Sequence, residues 1–197
     1  MIAIVKYNAG NILSVKNALD RLGYNSILTD KEDDIRSADK VIFPGVGEAS
    51  SAMKYLKERR MDEIIRSLKQ PVLGICLGQQ LMCAFSEEGK VQCLGIFDAV
   101  VRKLPPVNIV PHMGWNNLYD ISDHLLGGVS EDDDVYFVHG YYAEISEFTI
   151  AKCKYILPFS AAMRRENFYA VQFHPEKSAE AGERILSNFL NIQLKNK

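Results

Sequence analysis

Cys76 stands where a buried strand is expected to end and a helix to begin. The residues around it read Gly-Ile-Cys-Leu-Gly over 74–78, with a glycine two positions before and two positions after the cysteine. This spacing is typical of a nucleophile elbow, a strained turn that exposes a nucleophile while strand and helix pass close together. The free N–H groups at the start of the helix favour a thiolate. A buried structural cysteine is the alternative, because free cysteines are often buried.

A histidine and a carboxylate occur together near the end of the chain. His174 follows the apolar run 168–173, which predicts a strand, and Glu176 lies two residues further on, behind Pro175. A nucleophilic cysteine needs a base to form the thiolate and an acid to protonate the leaving group, and one histidine can do both. A carboxylate fixes the tautomer of that histidine and stabilises its charged form. We therefore predict a catalytic triad of Cys76, His174 and Glu176; an ordinary strand-end histidine is the alternative.

The loop 44–47, Pro-Gly-Val-Gly, is a candidate for the oxyanion hole that acyl transfer needs. It follows a predicted strand, and its glycines leave backbone N–H groups free to point outward. In a parallel sheet this loop lies beside the end of the strand that carries Cys76. An ordinary strand-to-helix turn is the alternative, since Gly and Pro occur in many loops.

The composition fits one domain over residues 1–197. The chain has 197 residues, is 47% hydrophobic and carries a formal net charge of −2. A chain of this length buries roughly 70% of its unfolded surface, so it needs no disulfide or metal to fold. The cysteines and histidines lack zinc-ligand spacing, and we predict no metal and no cofactor. The chain has no basic stripe, so we expect no binding to nucleic acid. It has no signal peptide and no run near the roughly 20 apolar residues that a membrane span needs, so we expect a soluble cytoplasmic protein that does not bind membrane.

Apolar runs alternate with helical periods through the first half of the chain. We predict strands over 2–5, 24–28, 41–43 and 72–75, and helices over 12–22, 50–68 and 77–85. This alternation is typical of an α/β fold with a mainly parallel sheet and helices on both faces. In the second half we predict short strands as antiparallel additions to the sheet, over 96–104, 135–138, 141–145, 155–157 and 168–173. A last helix is predicted over 179–194.

Four motifs resemble those of the class I, or triad, glutamine amidotransferases. They lie at 44–47 (Pro-Gly-Val-Gly), 74–80 (Gly-Ile-Cys-Leu-Gly-Gln-Gln), 111–116 (Pro-His-Met-Gly-Trp-Asn) and 173–178 (Phe-His-Pro-Glu-Lys-Ser). The resemblance covers nearly the whole chain. It implies a flavodoxin-like fold and the hydrolysis of L-glutamine to glutamate and ammonia through a γ-glutamyl thioester on Cys76.

The resemblance also implies roles for residues outside the triad. The backbone N–H groups of Leu77 and of Val46, in the loop with Gly47, match the oxyanion donors, with Val46 acting after a peptide rearrangement. Gln80 and the segment His139-Gly140-Tyr141 match the residues that contact the bound glutamine. The residues that match positions near a subunit interface are His112, Trp115, Asn116 and Lys177.

The motifs at 44–47 and 111–116 resemble most closely a subfamily that supplies ammonia for histidine biosynthesis. Its partner is a (β/α)₈-barrel cyclase in a heterodimer, and the pair forms imidazole glycerol phosphate and aminoimidazole carboxamide ribotide. The resemblance implies weak activity until that partner binds. The chain departs from the family at Lys6 and Asn8, which replace Asp and Gly of an early motif, at Glu48, where an aromatic residue is common, and at Gly140, where serine is common.

Three other functions stay open on the sequence. An amidotransferase of the same class for another pathway would share the triad but not the 111–116 motif. A silent binding subunit is disfavoured by the intact triad residues, and a cysteine peptidase would need an open groove for a peptide. The sequence does not indicate whether Cys83, Cys93 and Cys153 have a role beyond packing.

Overall fold

The computed structural model describes residues 1–7, 10 and 12–193. The strands are β1 (Ile2–Val5), β2 (Ser26–Thr29), β3 (Lys40–Gly45), β4 (Val72–Cys76), β5 (Cys83–Ser86), β6 (Val91–Gln92), β7 (Phe97–Lys103), β8 (His112–Asn117), β9 (Asp134–His139), β10 (Tyr141–Ala143), β11 (Thr149–Lys154), β12 (Pro158–Arg165) and β13 (Phe168–Val171). The helices are α1 (Ile12–Arg21), α2 (Glu32–Ser37), α3 (Ala49–Glu58), α4 (Met61–Ser67), α5 (Leu77–Met82) and α6 (Ala179–Asn191).

The main sheet has seven strands in the order β11-β12-β13-β4-β3-β1-β2. The five strands from β13 to β2 are parallel, and β12 and β11 continue the sheet in antiparallel pairing. The predicted α/β class, a mainly parallel sheet with antiparallel additions from the second half, is therefore confirmed. The carboxyl ends of β3, β4 and β13 lie side by side, which is where ligands bind in such sheets.

Helices cover both faces of this sheet because its strands are apolar on both sides. In β1, Ile2 and Ile4 belong to the core shared with α1 and α6, whereas Ala3 and Val5 belong to the core shared with α2, α3, α4 and α5. Successive side chains of a strand point to opposite faces, so a strand buried on both faces reads as an uninterrupted apolar run. This explains why short runs such as 2–5 were recognisable as central strands.

Two smaller sheets accompany the main one. One has the order β10-β7-β5-β6, and the other pairs β8 with β9. The prediction that the strands of the second half all extend the main sheet is therefore wrong for 96–104, 135–138 and 141–145. In the β8–β9 pair the register sets His112 opposite His139, which brings two predicted site residues together.

Several predicted boundaries are also wrong. The helix over 50–68 is two helices, α3 and α4, separated at Arg60, whose φ of 57° is left-handed. The helix over 77–85 ends at Met82 and continues as β5, because a short apolar run does not distinguish a buried helix from a buried strand.

Other differences concern polar or short segments. Helix α2 was not predicted, and 155–157 is a bend between β11 and β12 instead of a strand. The end of the last helix predicted at 194, and the departure at Asn8, lie outside the described residues. Across the described part of the chain, no helix combines the length and the apolar character that crossing a membrane requires.

Candidate active site

Cys76 occupies a sharp turn between β4 and α5. Its backbone has φ 54° and ψ −107°, a conformation that costs a non-glycine residue about 1–3 kcal/mol and that tends to occur at functional sites. The turn depends on a close passage between α5 and β3. A Cβ atom at Gly78 would lie only 1.9 Å from the carbonyl oxygen of Phe43, so glycine is required there.

The register of the main sheet brings two other segments to Cys76. Gly45 at the end of β3 pairs with Cys76, which sets the loop 44–47 beside the nucleophile. On the other side, Val171 of β13 pairs with Ile75, so Gln172 and the following His174 emerge next to it. The two segments that the sequence analysis assigned to the oxyanion hole and the base therefore flank the same cysteine.

His174 and Glu176 form a buried pair. The Nδ1 atom of His174 lies 2.8 Å from Oε1 of Glu176, and the two side chains are 2% and 1% exposed. The backbone holds this pair in place, because the N–H of His174 donates to the carbonyl of Tyr136 at 2.8 Å. The hydroxyl of Ser178 donates to the carbonyl of His174 at 2.6 Å. Such a carboxylate fixes the histidine ring and stabilises its protonated form.

The charge state of His174 is coupled to its neighbours. Burial alone lowers the pKa of His174, but interactions with Cys76 and Glu176 outweigh burial and raise the pKa to about 10. Its Nε2 atom is buried without an aligned hydrogen bond to any described residue. Catalytic hydrogen bonds are often loose in the absence of substrate. Cys76 and His174 are close enough for their charges to interact, and no aligned hydrogen bond joins them in this structure.

The thiol of Cys76 has two polar contacts of its own. Its Sγ atom lies 3.9 Å from the carbonyl oxygen of Val138 and 3.7 Å from Nε2 of Gln172. The first contact suits a protonated thiol as donor, and the second suits sulfur as acceptor. Gln172 was missed by the sequence analysis, although it directly precedes the Phe-His-Pro-Glu motif.

A cavity of about 270 Å³ opens in front of Cys76. Its lining includes all residues predicted for the oxyanion hole and for glutamine binding, which are Val46, Gly47, Leu77, Gln80, His139, Gly140 and Tyr141. Leu77 is the first residue of α5, so its N–H group has no partner inside the helix and is available to a ligand. The predicted residues are thus gathered around one opening at the nucleophile.

Glu88 is a site residue that the sequence analysis missed. It is the one acidic residue that lines the cavity within the described part of the chain. Its Oε2 atom accepts a hydrogen bond from the N–H of Ala49 at 2.8 Å. Burial raises the pKa of Glu88, and the nearby carboxylate of Glu48 adds to this effect. In the sequence Glu88 stands in a polar turn, Glu-Glu-Gly-Lys, which carries no signal of a binding role.

Two histidines connect the cavity to strand β8. The Nδ1 atom of His139 lies 2.8 Å from the carbonyl oxygen of Tyr141, so this nitrogen carries the proton. Its Nε2 atom then accepts from Nδ1 of His112, 3.0 Å away. Burial lowers the pKa of His139 to about 3 and that of His112 to about 4. Both rings are therefore neutral at pH 7. Because the carbonyl oxygen of Tyr141 can only accept a hydrogen bond, it determines which ring nitrogen donates in both hydrogen bonds.

The residues predicted near an interface are not equally accessible. Trp115 is 54% exposed and packs edge-on against Tyr136, and the ammonium of Lys177 lies 5.9 Å from the same ring. His112 is buried and stacks on Tyr155, and Asn116 is half-buried. Met113, two positions before Trp115 on β8, is also exposed, so the two side chains share one face of that strand.

The other three cysteines lie in apolar surroundings. Burial raises the pKa of Cys93 and of Cys153 to about 12, and it raises that of Cys83 further. Thiols with such pKa values do not form thiolates near pH 7 and are poor nucleophiles. The chemistry of this region is therefore concentrated at Cys76.

Comparisons with known proteins find similarity over nearly the whole chain. The model of the family described as glutamine amidotransferase class-I matches residues 4–192. The chain is 58% identical to the imidazole glycerol phosphate synthase subunit HisH of Bacteroides fragilis, over 97% of this chain and 99% of that protein. It is 47% identical to the protein of the same name from Pasteurella multocida, over 96% of each. A solved structure of a glutamine amidotransferase has a TM-score of 0.73 at 19% identity, over 96% of both chains, which is a likeness of fold.

Proposed function

Because the chain belongs to the class I glutamine amidotransferase family, we infer that it hydrolyses glutamine as the HisH-type subunit of an imidazole glycerol phosphate synthase. One observation carries this inference above the others. The buried His174–Glu176 pair and the strained Cys76 meet at adjacent strand ends, in front of a cavity large enough for a small amino acid. The lyase reaction of the synthase belongs to the cyclase partner.

The proposed reaction has two steps. The thiol proton of Cys76 passes to His174, whose pKa is raised by its interactions with Cys76 and Glu176, and the thiolate then attacks the side-chain amide carbon of glutamine. His174 then gives this proton to the leaving nitrogen, so ammonia departs and a γ-glutamyl thioester remains. In the second step His174 takes a proton from water, the hydroxide cleaves the thioester, and the proton returns to sulfur as glutamate is released. Glu176 stabilises the imidazolium formed in each step.

The cavity residues have complementary roles in this proposal. The N–H of Leu77, at the start of α5, and that of Val46, beside Gly47, stabilise the oxyanion, Val46 after a rearrangement of its peptide. Gln80 and the segment 139–141 hold the glutamine backbone and side chain. The carboxylate of Glu88 pairs with the α-ammonium group, because a charged ligand group in a partly closed cavity needs an opposite charge.

We propose that the cyclase subunit docks on the face of β8 that carries Met113 and Trp115, together with Lys177, whose ammonium lies beside the Tyr136 ring on which Trp115 packs. Exposed apolar clusters of this kind often mark protein interfaces. In this proposal the partner is a (β/α)₈ barrel in a heterodimer and receives the ammonia, as in histidine biosynthesis. It then forms imidazole glycerol phosphate and aminoimidazole carboxamide ribotide. We place the protein in the cytoplasm, where reducing conditions keep Cys76 as a thiol.

Glutamate release tests the proposal. The purified chain is assayed with glutamine alone, then with the cyclase subunit and its ribulosyl ligand, and the variant Cys76→Ala serves as the control. We expect strong stimulation by the cyclase that disappears in Cys76→Ala. Turnover that survives in this variant would rule out Cys76 as the nucleophile. Equal activity with and without the cyclase would instead indicate an amidotransferase of another pathway.

A further inference from the structure

Gln172 is fully buried beside the nucleophile, and the mechanism above gives it no role. Its side chain is 0% exposed, and its Nε2 atom lies 3.7 Å from Sγ of Cys76. A carboxamide buried at this depth must satisfy its donors and its acceptor within the protein. Its orientation therefore decides whether the sulfur meets a donor or an acceptor.

The hydrogen bonds around Gln80 determine that orientation. The carbonyl oxygen of Tyr141 can only accept, so the Gln80 atom 3.0 Å away is its NH₂ group. The same NH₂ group lies 3.0 Å from Gln172, and the Gln172 atom that faces it must therefore be the carbonyl oxygen. The NH₂ group of Gln172 is then directed at the sulfur. The reverse orientation would oppose two NH₂ groups and set an oxygen against a thiolate.

We propose that Gln172 stabilises the thiolate of Cys76 by donating a hydrogen bond to it, and that Gln80 holds the donor in this orientation. The two polar neighbours of the sulfur then act in opposite directions. The carbonyl of Val138 favours the protonated thiol, whereas the amide of Gln172 favours the charged form. Hydrogen bonds to charged groups are stronger than those between neutral groups, so the contact with Gln172 strengthens when the proton moves to His174.

This inference rests on the proposed function only in taking Cys76 as the nucleophile. It also makes the sulfur and the glutamine pocket parts of one network, since Gln80 lines the cavity and contacts Gln172. A shift of Gln80 would change the donor at the sulfur. Gln172 is therefore a thiolate-stabilising residue as well as a core residue.

The test is the pH dependence of Cys76 alkylation by iodoacetamide in the full chain, with Cys76→Ala measuring the background from other cysteines. In Gln172→Met, which keeps length and removes the donor, we expect the midpoint of the alkylation profile to rise by about one pH unit, because a hydrogen bond to a charged group is worth about a factor of ten in the equilibrium. Gln172→Glu preserves the acceptor for Gln80 and the shape of the side chain. It should raise the midpoint at least as much.

Gln79→Met is the matched control. Gln79 is also 0% exposed, and its amide donates to the carbonyl of Ser160 at 3.1 Å, away from the sulfur. This variant should lose thermal stability as Gln172→Met does and keep the wild-type midpoint. An unchanged midpoint in folded Gln172→Met or Gln172→Glu, or an equal shift in Gln79→Met, would overturn the proposal. The readout needs no glutamine turnover, so a failure of the glutaminase assay would be a separate result.

Discussion

Replacing Gly78 with alanine should separate the two halves of the oxyanion hole. The new Cβ atom would lie 1.9 Å from the carbonyl oxygen of Phe43 and 3.0 Å from its carbon. Carbon and carbonyl oxygen approach to about 3.3 Å at the closest in proteins, so α5 and β3 must move apart by about 1.4 Å. Both contacts are with backbone, which cannot rotate out of the way as a side chain can.

This displacement acts directly on the chemistry. Helix α5 carries the N–H of Leu77, and β3 leads into the loop with Val46, so the two proposed donors lie on the two elements that separate. A misplacement of about 1 Å costs on the order of 10²-fold in rate, and losing one oxyanion donor costs about 10²–10³-fold. We therefore expect kcat to fall at least about 100-fold. The free energy of unfolding should fall by about 1–3 kcal/mol, as is usual for overpacking.

The assay is glutamate release in the presence of the cyclase subunit, together with urea denaturation. Gly23→Ala is the control, because Gly23 has φ 79° and a Cβ atom added there would meet no other atom within 4 Å. It lies just before β2, at the amino ends of the parallel strands, whereas Cys76 lies at their carboxyl ends. Its left-handed backbone makes alanine cost about 1–2 kcal/mol, so stability should fall while kcat stays unchanged. A Gly78→Ala enzyme with near wild-type kcat would refute the reasoning.

Three further predictions concern the charged and titrating groups of the site. Glu176→Gln should lower kcat by about 10⁴-fold, because an amide no longer fixes the tautomer of His174; steady-state kinetics would show it, and a loss below tenfold would contradict it. Glu88→Gln should raise KM for glutamine about 10–100-fold and leave kcat nearly unchanged, because a hydrogen bond to a charged group contributes that factor to a binding equilibrium. A fall in kcat at constant KM would argue against binding of the α-ammonium group by Glu88. The free energy of unfolding should decrease as the pH falls from about 6.5 to about 4. In the folded protein His112 and His139 have pKa values of about 4 and about 3 and stay neutral over this range, whereas in the unfolded chain both become protonated. Denaturation at pH 7 and pH 5 would measure this, and His139→Gln should show a smaller decrease.

The sequence was sufficient for the nucleophile turn and for the central strands. Both follow from short-range rules, since glycines two positions on either side of Cys76 meet the steric demands of the turn and uninterrupted apolar runs satisfy a strand buried on both faces. Parallel pairing then required the loop 44–47 and the region of His174 to lie near the cysteine. The family motifs added the pocket segment His139-Gly140-Tyr141, which does line the cavity.

Only the tertiary structure revealed Glu88, the orientation of Gln172 and the burial of His112. Glu88 reaches the helix start at Ala49 across 39 positions, and Gln172 reaches Cys76 across 96. Neither contact leaves a local pattern, because side chains so far apart in sequence meet only after the sheet has formed. The same holds for the end of α5 at Met82, where pairing of β5 with β7 overrides a local apolar pattern that a helix would satisfy equally well.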